Sequence, residues 1–311
     1  MKIFNSIQEF NSPKKTVVTL GTFDGVHKGH SSILDRLTSS SKASGCESLV
    51  LTFFPHPRMV LQQSTDIKLL STIEEKAQML EAHGLDNLII HPFDLAFSRL
   101  TAEEFVKDIL VDRLNMCKII IGHDHRFGRN RTANIDDLIR FGNEYGFEVE
   151  KISALAVNEV SVSSTKIRNA LATGDIATAN MYLGYPYFLT GTVVTGKQLG
   201  RTIGFPTANI SVKEAYKLIP ANGVYVVSAI IDGKAEEGMM NIGVRPTVDG
   251  NSLSIEVHFL NLDKDLYGRE ITINVHHRLR DEQKFASFDA LKEQLFADRE
   301  NSVTYFKQNS V

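Results

Sequence analysis

The spacing of apolar residues changes along this chain, and that change constrains the fold more than any other feature. Up to about residue 185 short β-branched runs alternate with amphipathic stretches, and beyond it strand-like runs follow one another. In the first part "TVVTLGTF" (16–23), "SLVLTFF" (48–54), "NLIIH" (87–91), "CKIIIG" (117–122) and "FEVEKIS" (147–153) read as strands. Between them "TIEEKAQMLEAHG", "AEEFVKDILVDRL" and "NIDDLIRFGNEYG" put apolar residues at helical spacing and finish near a glycine or a break. Strand and helix in alternation imply right-handed crossovers and a parallel sheet covered on both faces, hence a Rossmann-like α/β domain. In the second part "YFLTGTVVTG", "TANISV", "GVYVVSAIIDG", "SLSIEVHFLN" and "EITINVHH" are strand-like and separated by Gly, Asn and Asp turns. Helical spacing returns only in "SFDALKEQLFADRENSVTYF", so a small antiparallel β-barrel with a C-terminal helix is expected. The helical segment "TKIRNALATGDIATANMYLG" reads as a linker, which puts the boundary near Tyr185 and the domains at 1–184 and 185–311. A chain of 311 residues is about twice a typical domain of ~150, in keeping with two cores.

Composition removes several classes of function. With 42% hydrophobic and 23% charged residues and a formal charge of -3, the chain is an ordinary globular protein with no broad attraction for nucleic acid or anionic lipid. Cys46 and Cys117 lie far apart in sequence and lack CxxC spacing. This argues against a disulfide framework or a thiolate zinc site and suits a reducing compartment. "MKIFNSIQEFNSPKK" lacks the apolar core of a signal peptide, and no later apolar run approaches the ~18 residues of a membrane span, so a cytoplasmic location is expected. No internal repeat or low-complexity segment is present.

The first strand leads directly into "GTFDGVHKGH" (21–30), which opens the helical "SSILDRL". Ligands of parallel α/β sheets sit at the carboxyl ends of strands, and a glycine turn at a helix N-terminus presents free backbone N–H groups to a phosphate. Gly21 and Gly29 allow close backbone approach. His27 and His30, three residues apart, can point at the same anion if His30 starts the helix, and each imidazole can donate a hydrogen bond to it. Taken alone, such a pair is more often surface or core structure; as a zinc site it lacks a third ligand, and the segment is not the dinucleotide G-x-G-x-x-G fingerprint. A second element, "SVSSTKIRNAL" (161–171), sets Ser163, Ser164 and Thr165 at a helix start, with Lys166 and Arg168 in the first turn. Cations there oppose the helix dipole unless an anion binds; the alternative is a plain serine cap with solvated charges.

"GTFDGVHKGH", "FFPHPRMVL", "GHDHRFG" and "VSSTKIR" together resemble the adenylyltransferase half of the bacterial bifunctional riboflavin kinase/FMN adenylyltransferases, the FAD synthetases. "GKQLGRTIGFPTANI", "GVYVV", "NIGVRPTV", "IEVHFLN", "LYGREI" and "LRDEQKF" resemble the riboflavin kinase half, and the motifs stand in family order over nearly the whole chain. The resemblance implies ATP-dependent conversion of riboflavin to FMN, then of FMN to FAD with release of pyrophosphate, both with magnesium. For the first domain it implies catalytic roles for His27 and His30 and a nucleotide site of Gly21, Phe23, Asp24, Gly29, His56, Ser164, Thr165 and Arg168. It also implies flavin contacts from Asp124 and Phe127, with His125 standing where the family usually has phenylalanine, so that an apolar wall on the flavin is altered there. His123, Asp124 and His125 read as a metal set would be adjacent ligands in one turn without further partners, which disfavours that reading.

In the second domain "GTVVTGKQ" (191–198) nearly matches a P-loop, but Gln198 replaces the hydroxyl that should reach magnesium, and "TVVT" favours strand over loop. Gly196, Gly200 and Gly204 instead space out a flexible segment suited to closing over phosphates, or a glycine-rich hairpin without function. Thr207 and Asn209 offer the hard oxygen ligands magnesium accepts. Glu256 alternates with apolar neighbours and is compatible with the wet face of a strand. The resemblance assigns Thr207 and Asn209 to magnesium, Lys197, Gly200, Gly204, Pro206, Thr207 and Asn209 to nucleotide, and Glu256 to the general base for the riboflavin 5′-hydroxyl. The expected partners are the small molecules riboflavin, FMN and ATP, with no nucleic acid and no membrane. Two other classes stay open on the residues alone: a nucleotidyltransferase with an RNA-binding barrel, against which the mildly acidic charge speaks, and a non-catalytic flavin binder.

Overall fold

A computed structural model describes residues 1–61, 67–122, 126–152, 162–196, 200, 203–247 and 250–309. The chain divides into two compact units, Met1–Ser164 and Thr165–Val311.

The first unit contains β1 (Lys2–Phe4), β2 (Thr16–Leu20), α1 (Lys28–Ser44), β3 (Glu47–Phe54), α2 (Pro57–Leu61), α3 (Ile73–Ala82) and β4 (Asn87–Pro92). It continues with α4 (Ala102–Glu104), which widens into a π-helix over Phe105–Arg113, then β5 (Met116–Gly122), α5 (Ile135–Tyr145) and β6 (Glu148–Ile152). Three of the helices, α3, α4 and α5, start where side chains satisfy their first N–H groups: Thr72, Thr101 and Asn134 each close a capping box with an acid three residues on. All strand pairs are parallel, in the order β1-β4-β3-β2-β5-β6. The order therefore reverses between β2 and β5, and the crevice beyond the carboxyl end of β2 is the switch point at which such sheets bind ligands. One core fills the face under α5 and the π-helix, with Val18, Leu20, Ile119 and Ile121 among its buried members. A second fills the face under α1 and α3, around Val17, Leu34, Leu37, Val50 and Leu80. Burial of β2 on both faces explains its unbroken TVVTL.

The second unit begins with α6 (Ser164–Thr173, whose first residue closes the first unit) and α7 (Ile176–Leu183). β7 (Tyr187–Val194), β8 (Ala208–Ser211), β9 (Gly223–Ile231), β10 (Lys234–Thr247), β11 (Gly250–Phe259) and β12 (Glu270–Arg280) then form a closed antiparallel barrel, followed by α8 (Phe288–Asn309). The segment expected as a linker is part of the second unit. Asn180 in α7 donates to the Val275 carbonyl (2.9 Å) and accepts from Tyr187 N–H (2.7 Å), and Ala221 N–H donates to the Leu171 carbonyl (3.0 Å). Strand β10 escaped the sequence reading because Gly238, Gly243 and Pro246 interrupt its alternation; in the barrel it pairs continuously with β9 and β11. α8 is fastened to β12 by Arg280, which donates from Nε and Nη to the buried Asp298 carboxylate at 3.0 and 2.7 Å.

Candidate functional site

In the first unit the chain leaves β2 at the switch point and turns through Gly21 to Val26 before α1 begins. Phe23 (φ 46°), Gly25 (φ 78°) and Val26 (φ 32°) all take left-handed backbone, two of them against the preference of their side chains. Asp24, 1% exposed, turns its carboxylate to the segment before α3, where it accepts from Leu70 N–H (2.8 Å) and Ser71 N–H (3.3 Å). Ser71 Oγ in turn accepts from Gly25 N–H (3.2 Å), and Ser164 Oγ donates to the Asp24 carbonyl (3.0 Å). The turn is thus hung between the segment before α3 and Ser164, the last residue of the first unit.

His27 stands at the N-cap of α1, but its side chain does not cap the helix. Its ring stacks on that of His30 (centroids 3.7 Å apart, 14° between planes), and His30 also meets the Phe23 ring at 4.9 Å. His30 Nδ1 is buried and has no hydrogen-bond partner among the described residues. Burial first, then the neighbouring His27 and Lys76, hold the His30 imidazole well below its ordinary pKa, so the ring is neutral near pH 7. The Lys76 side chain, on α3 and 4% exposed, escaped the sequence reading because it sits in an ordinary amphipathic helix. Burial lowers its amine to about 8, against the pull of Asp24.

The other residues of the sequence assignment fall into place unevenly. His56 follows β3 at the same end of the sheet, half-buried, and its Nδ1 accepts from Arg58 N–H (3.1 Å). Phe127, buried, joins a run of aromatic rings: it lies 6.3 Å from Phe105, which lies 6.0 Å from Phe97, which meets Phe53 (5.5 Å), Phe93 (5.8 Å) and His91 (4.7 Å). These rings come from the ends of β3 and β4, the segments that follow β4 and β5, and the start of the π-helix, a convergence that no spacing in the sequence signals. Asp124 and His125 lie outside the described residues, as does Lys197 in the barrel. Thr165 and Arg168 belong to the second unit, where Arg168 Nη2 donates to Thr165 Oγ1 at 3.3 Å.

The barrel carries a second cluster. Asn209 on β8 pairs in register with Glu256 on β11, and the hydroxyl of Thr207, just ahead of β8, donates to Glu256 Oε2 at 3.3 Å. All three side chains are half-buried. Gly196 leaves room for this group, since a Cβ there would lie 2.2 Å from Asn209 Nδ2. Gly200 accepts from Ile203 N–H (3.2 Å) and Phe205 N–H (2.8 Å) in a tight loop, Gly204 takes left-handed backbone (φ 84°), and the Pro206 carbonyl is 2.8 Å from His258 Nδ1. Beside Thr207 opens a pocket of about 70 Å³ lined by Val193, Pro206, Val257, Leu266 and Tyr267. A hydroxyl, an amide oxygen and a carboxylate are the hard donors that a magnesium ion takes, so the residues present fit one. Among the described residues no group of three or more His, Cys, Asp or Glu gathers that could hold a metal ion.

Residues 9–166 match the FAD synthetase family model and residues 183–306 the riboflavin kinase model. The bifunctional riboflavin kinase/FMN adenylyltransferase of Escherichia coli K12 is 37% identical over 309 residues, covering 98% of each chain. That of Pseudomonas fluorescens is 41% identical over 283 residues, covering 91% of this chain and 90% of its own. Among solved structures, one described as a macrolide-efflux protein from Streptococcus pneumoniae superposes with a TM-score of 0.88 at 31% identity, over 96% of this chain and 97% of the other. Two family models in order, and identity running the length of both chains, make this chain a member of the bifunctional riboflavin kinase/FMN adenylyltransferase family.

Proposed function

We propose that the turn after β2 and the start of α1 carry adenylyl transfer, and that Thr207, Asn209 and Glu256 carry phosphoryl transfer. The enzyme phosphorylates riboflavin to FMN with ATP and joins FMN to the adenylyl group of a second ATP, releasing pyrophosphate. In the second reaction an FMN phosphate oxygen attacks the α-phosphorus and the bond to the β-phosphate breaks, so the enzyme's task is positioning and charge stabilisation. The observation that carries the assignment is the stacked His27–His30 pair at the switch point, with His30 Nδ1 buried and lacking a partner among the described residues. A neutral imidazole donates one N–H to a phosphate oxygen, and the arriving negative charge removes the penalty that keeps the ring neutral. His27 and the uncapped N-terminus of α1, with Gly21 and Gly29 beside it, hold the triphosphate. Phe23 and Asp24 fix the shape of the turn, and His56 lines its margin. The match of "VSSTKIR" extends the phosphate contacts to Ser164, Thr165 and Arg168, and that of "GHDHRFG" gives Asp124 and Phe127 to the flavin. The aromatic run ending at Phe127 supports a flat, apolar ligand.

In the barrel Glu256 takes the proton of the riboflavin 5′-hydroxyl, whose oxygen bonds to the γ-phosphorus of ATP as the bond from that phosphorus to the β–γ bridging oxygen breaks and ADP leaves. Thr207 and Asn209 hold magnesium, which when bound offsets charge on the phosphates. Lys197, Gly200, Gly204 and Pro206 are assigned to the nucleotide by the same motif. A reducing, cytoplasmic setting belongs to this proposal. The experiment is a pair of substitutions with flavins resolved by chromatography. His30→Ala should accumulate FMN from riboflavin without FAD, with adenylyl transfer slowed on the order of 10²–10³. Glu256→Gln should lose roughly 10²–10⁴ in riboflavin phosphorylation while converting added FMN to FAD. Equal slowing of both steps by His30→Ala, with an unchanged melting curve, would sink the assignment of separate sites.

A further inference from the structure

The two cysteines, 71 positions apart in sequence, meet in the fold with their Sγ atoms 3.3 Å apart, inside sulfur–sulfur van der Waals contact. Two local irregularities bring them together. α1 ends on left-handed Gly45 (φ 67°), so the chain doubles back and Cys46 N–H donates to the Ser41 carbonyl (3.0 Å) just before β3 starts. On the other side of β2, Thr16 pairs with Met116 but Val17 with Lys118, which leaves Cys117 as the extra residue of a bulge. Both side chains rest against the buried cluster beneath α1, and both residues are half-buried, open to small reagents. The Cys117 thiol also donates to the Thr16 carbonyl (3.3 Å). Two sulfurs without a third or fourth ligand among the described residues do not make a closed metal site.

We propose that Cys46 and Cys117 are a dithiol that a peroxide closes into a disulfide, tying the start of β3 to β5 across β2. Burial, then the adjoining Cys46 sulfur, pushes the Cys117 thiol up to about 11, so Cys46 supplies the attacking thiolate. Its sulfur bonds to one peroxide oxygen, the O–O bond breaks, and the leaving hydroxide takes a proton to become water, which gives Cys46 sulfenic acid. The Cys117 sulfur then attacks that of Cys46, the S–O bond breaks, and hydroxide leaves with the Cys117 proton as a second water. Two thiols lose two electrons and two hydrogens, and the peroxide gains both. The bulge at Cys117 and the glycine before Cys46 are where the backbone can absorb the closer approach. The bond lies at the amino end of the sheet, opposite the histidine turn, so its effect falls on the opening of the sheet.

The test uses the full-length reduced chain, treated with a small excess of hydrogen peroxide, quenched with iodoacetamide, and read by intact mass and peptide mapping. The expected product has lost two hydrogens, takes no label until dithiothreitol restores both thiols, and yields one cross-linked peptide pair joining Cys46 to Cys117. Amide exchange over β2, β3 and β5 should slow at least ~10-fold in the oxidised chain. Cys46→Ser and Cys117→Ser should each leave one thiol that labels or advances to sulfinic acid, with no slowing. The proposal is overturned by two labelled cysteines after peroxide, by oxygen addition to either sulfur without the cross-link, or by dimers linked between chains as the main product. Should a serine variant misfold, the mass of the unaltered oxidised chain decides alone.

Discussion

Replacing Lys76 with methionine should make the stability of the first unit less dependent on alkaline pH. The amine is 4% exposed, and burial takes it from 10.5 to about 8 against the attraction of Asp24. A displacement of that size means that holding the charged amine costs the folded chain about 3 kcal/mol. The folded pKa is the lower of the two, so the stabilising contribution is full above pH 10.5 and is lost as pH falls through 8. At pH 7 both folded and unfolded chains carry the proton, and the cost stands in full. Between pH 7 and 10 the folded chain sheds a proton that the unfolded chain keeps, and the native protein should gain about 2 kcal/mol relative to Lys76→Met. Methionine keeps the length and apolar stem, so little packing is lost. At pH 7 the variant should be the more stable, by less than the full amount because Asp24 loses its cation. The assay is urea titration of both full-length chains at pH 7 and 10 by circular dichroism. A protease pulse with peptide mapping assigns the transition of residues 1–164. A difference between the chains that does not change with pH would refute the reasoning, since the amine would then titrate in the fold as it does in water.

Two further outcomes follow from the barrel. Removing magnesium with excess chelator should abolish both reactions, and a riboflavin kinase rate that survives would refute the ligand roles of Thr207 and Asn209. A fragment beginning at Thr165 should fold and phosphorylate riboflavin by itself. One beginning at Tyr185 should melt lower, because it lacks the Asn180 hydrogen bonds to Val275 and Tyr187 and the buried Ile176, Ala179 and Leu183; equal melting temperatures would refute this.

The alternation of periods reported both architectures because central strands of the first unit such as β2 and β3 are buried on two faces while barrel strand β7 is buried on one, and burial is what periodicity records. It failed at β10, whose glycines and proline weaken the pattern although cross-strand pairing holds the strand in place. An amphipathic helix shows that it has a buried face and not which core covers it, so spacing alone does not say that α6 and α7 pack with the second unit. At the candidate sites, motif residues on one turn were legible: His27 and His30 meet because three residues separate them at a helix start. Groups assembled from distant segments were not. Neither the aromatic run to Phe127, nor Lys76 near Asp24, nor the contact of Cys46 with Cys117 leaves a trace in spacing. Sequence distance concealed that the two thiols touch.

The turn that places the histidines is strained, and the way it is held explains the burial of so much charge around it. Left-handed backbone at a bulky residue costs about 1–3 kcal/mol, and a β-branched one such as Val26 is among the least tolerant. Such a conformation persists only if its surroundings over-determine it. Here Asp24 pins the turn to Leu70 and Ser71, Gly25 pins it to Ser71 Oγ, and Ser164 pins it from the start of α6. A carboxylate sunk to 1% exposure needs positive compensation beyond two backbone N–H groups, and Lys76 supplies it from the next turn of the same α3 region. That cation then adds to the burial and to His27 in keeping His30 neutral. The chain of causes runs from strain to anchor, from anchor to counter-charge, and from counter-charge to the protonation state of the ring, so that an imidazole free to donate waits at the switch point before any phosphate arrives.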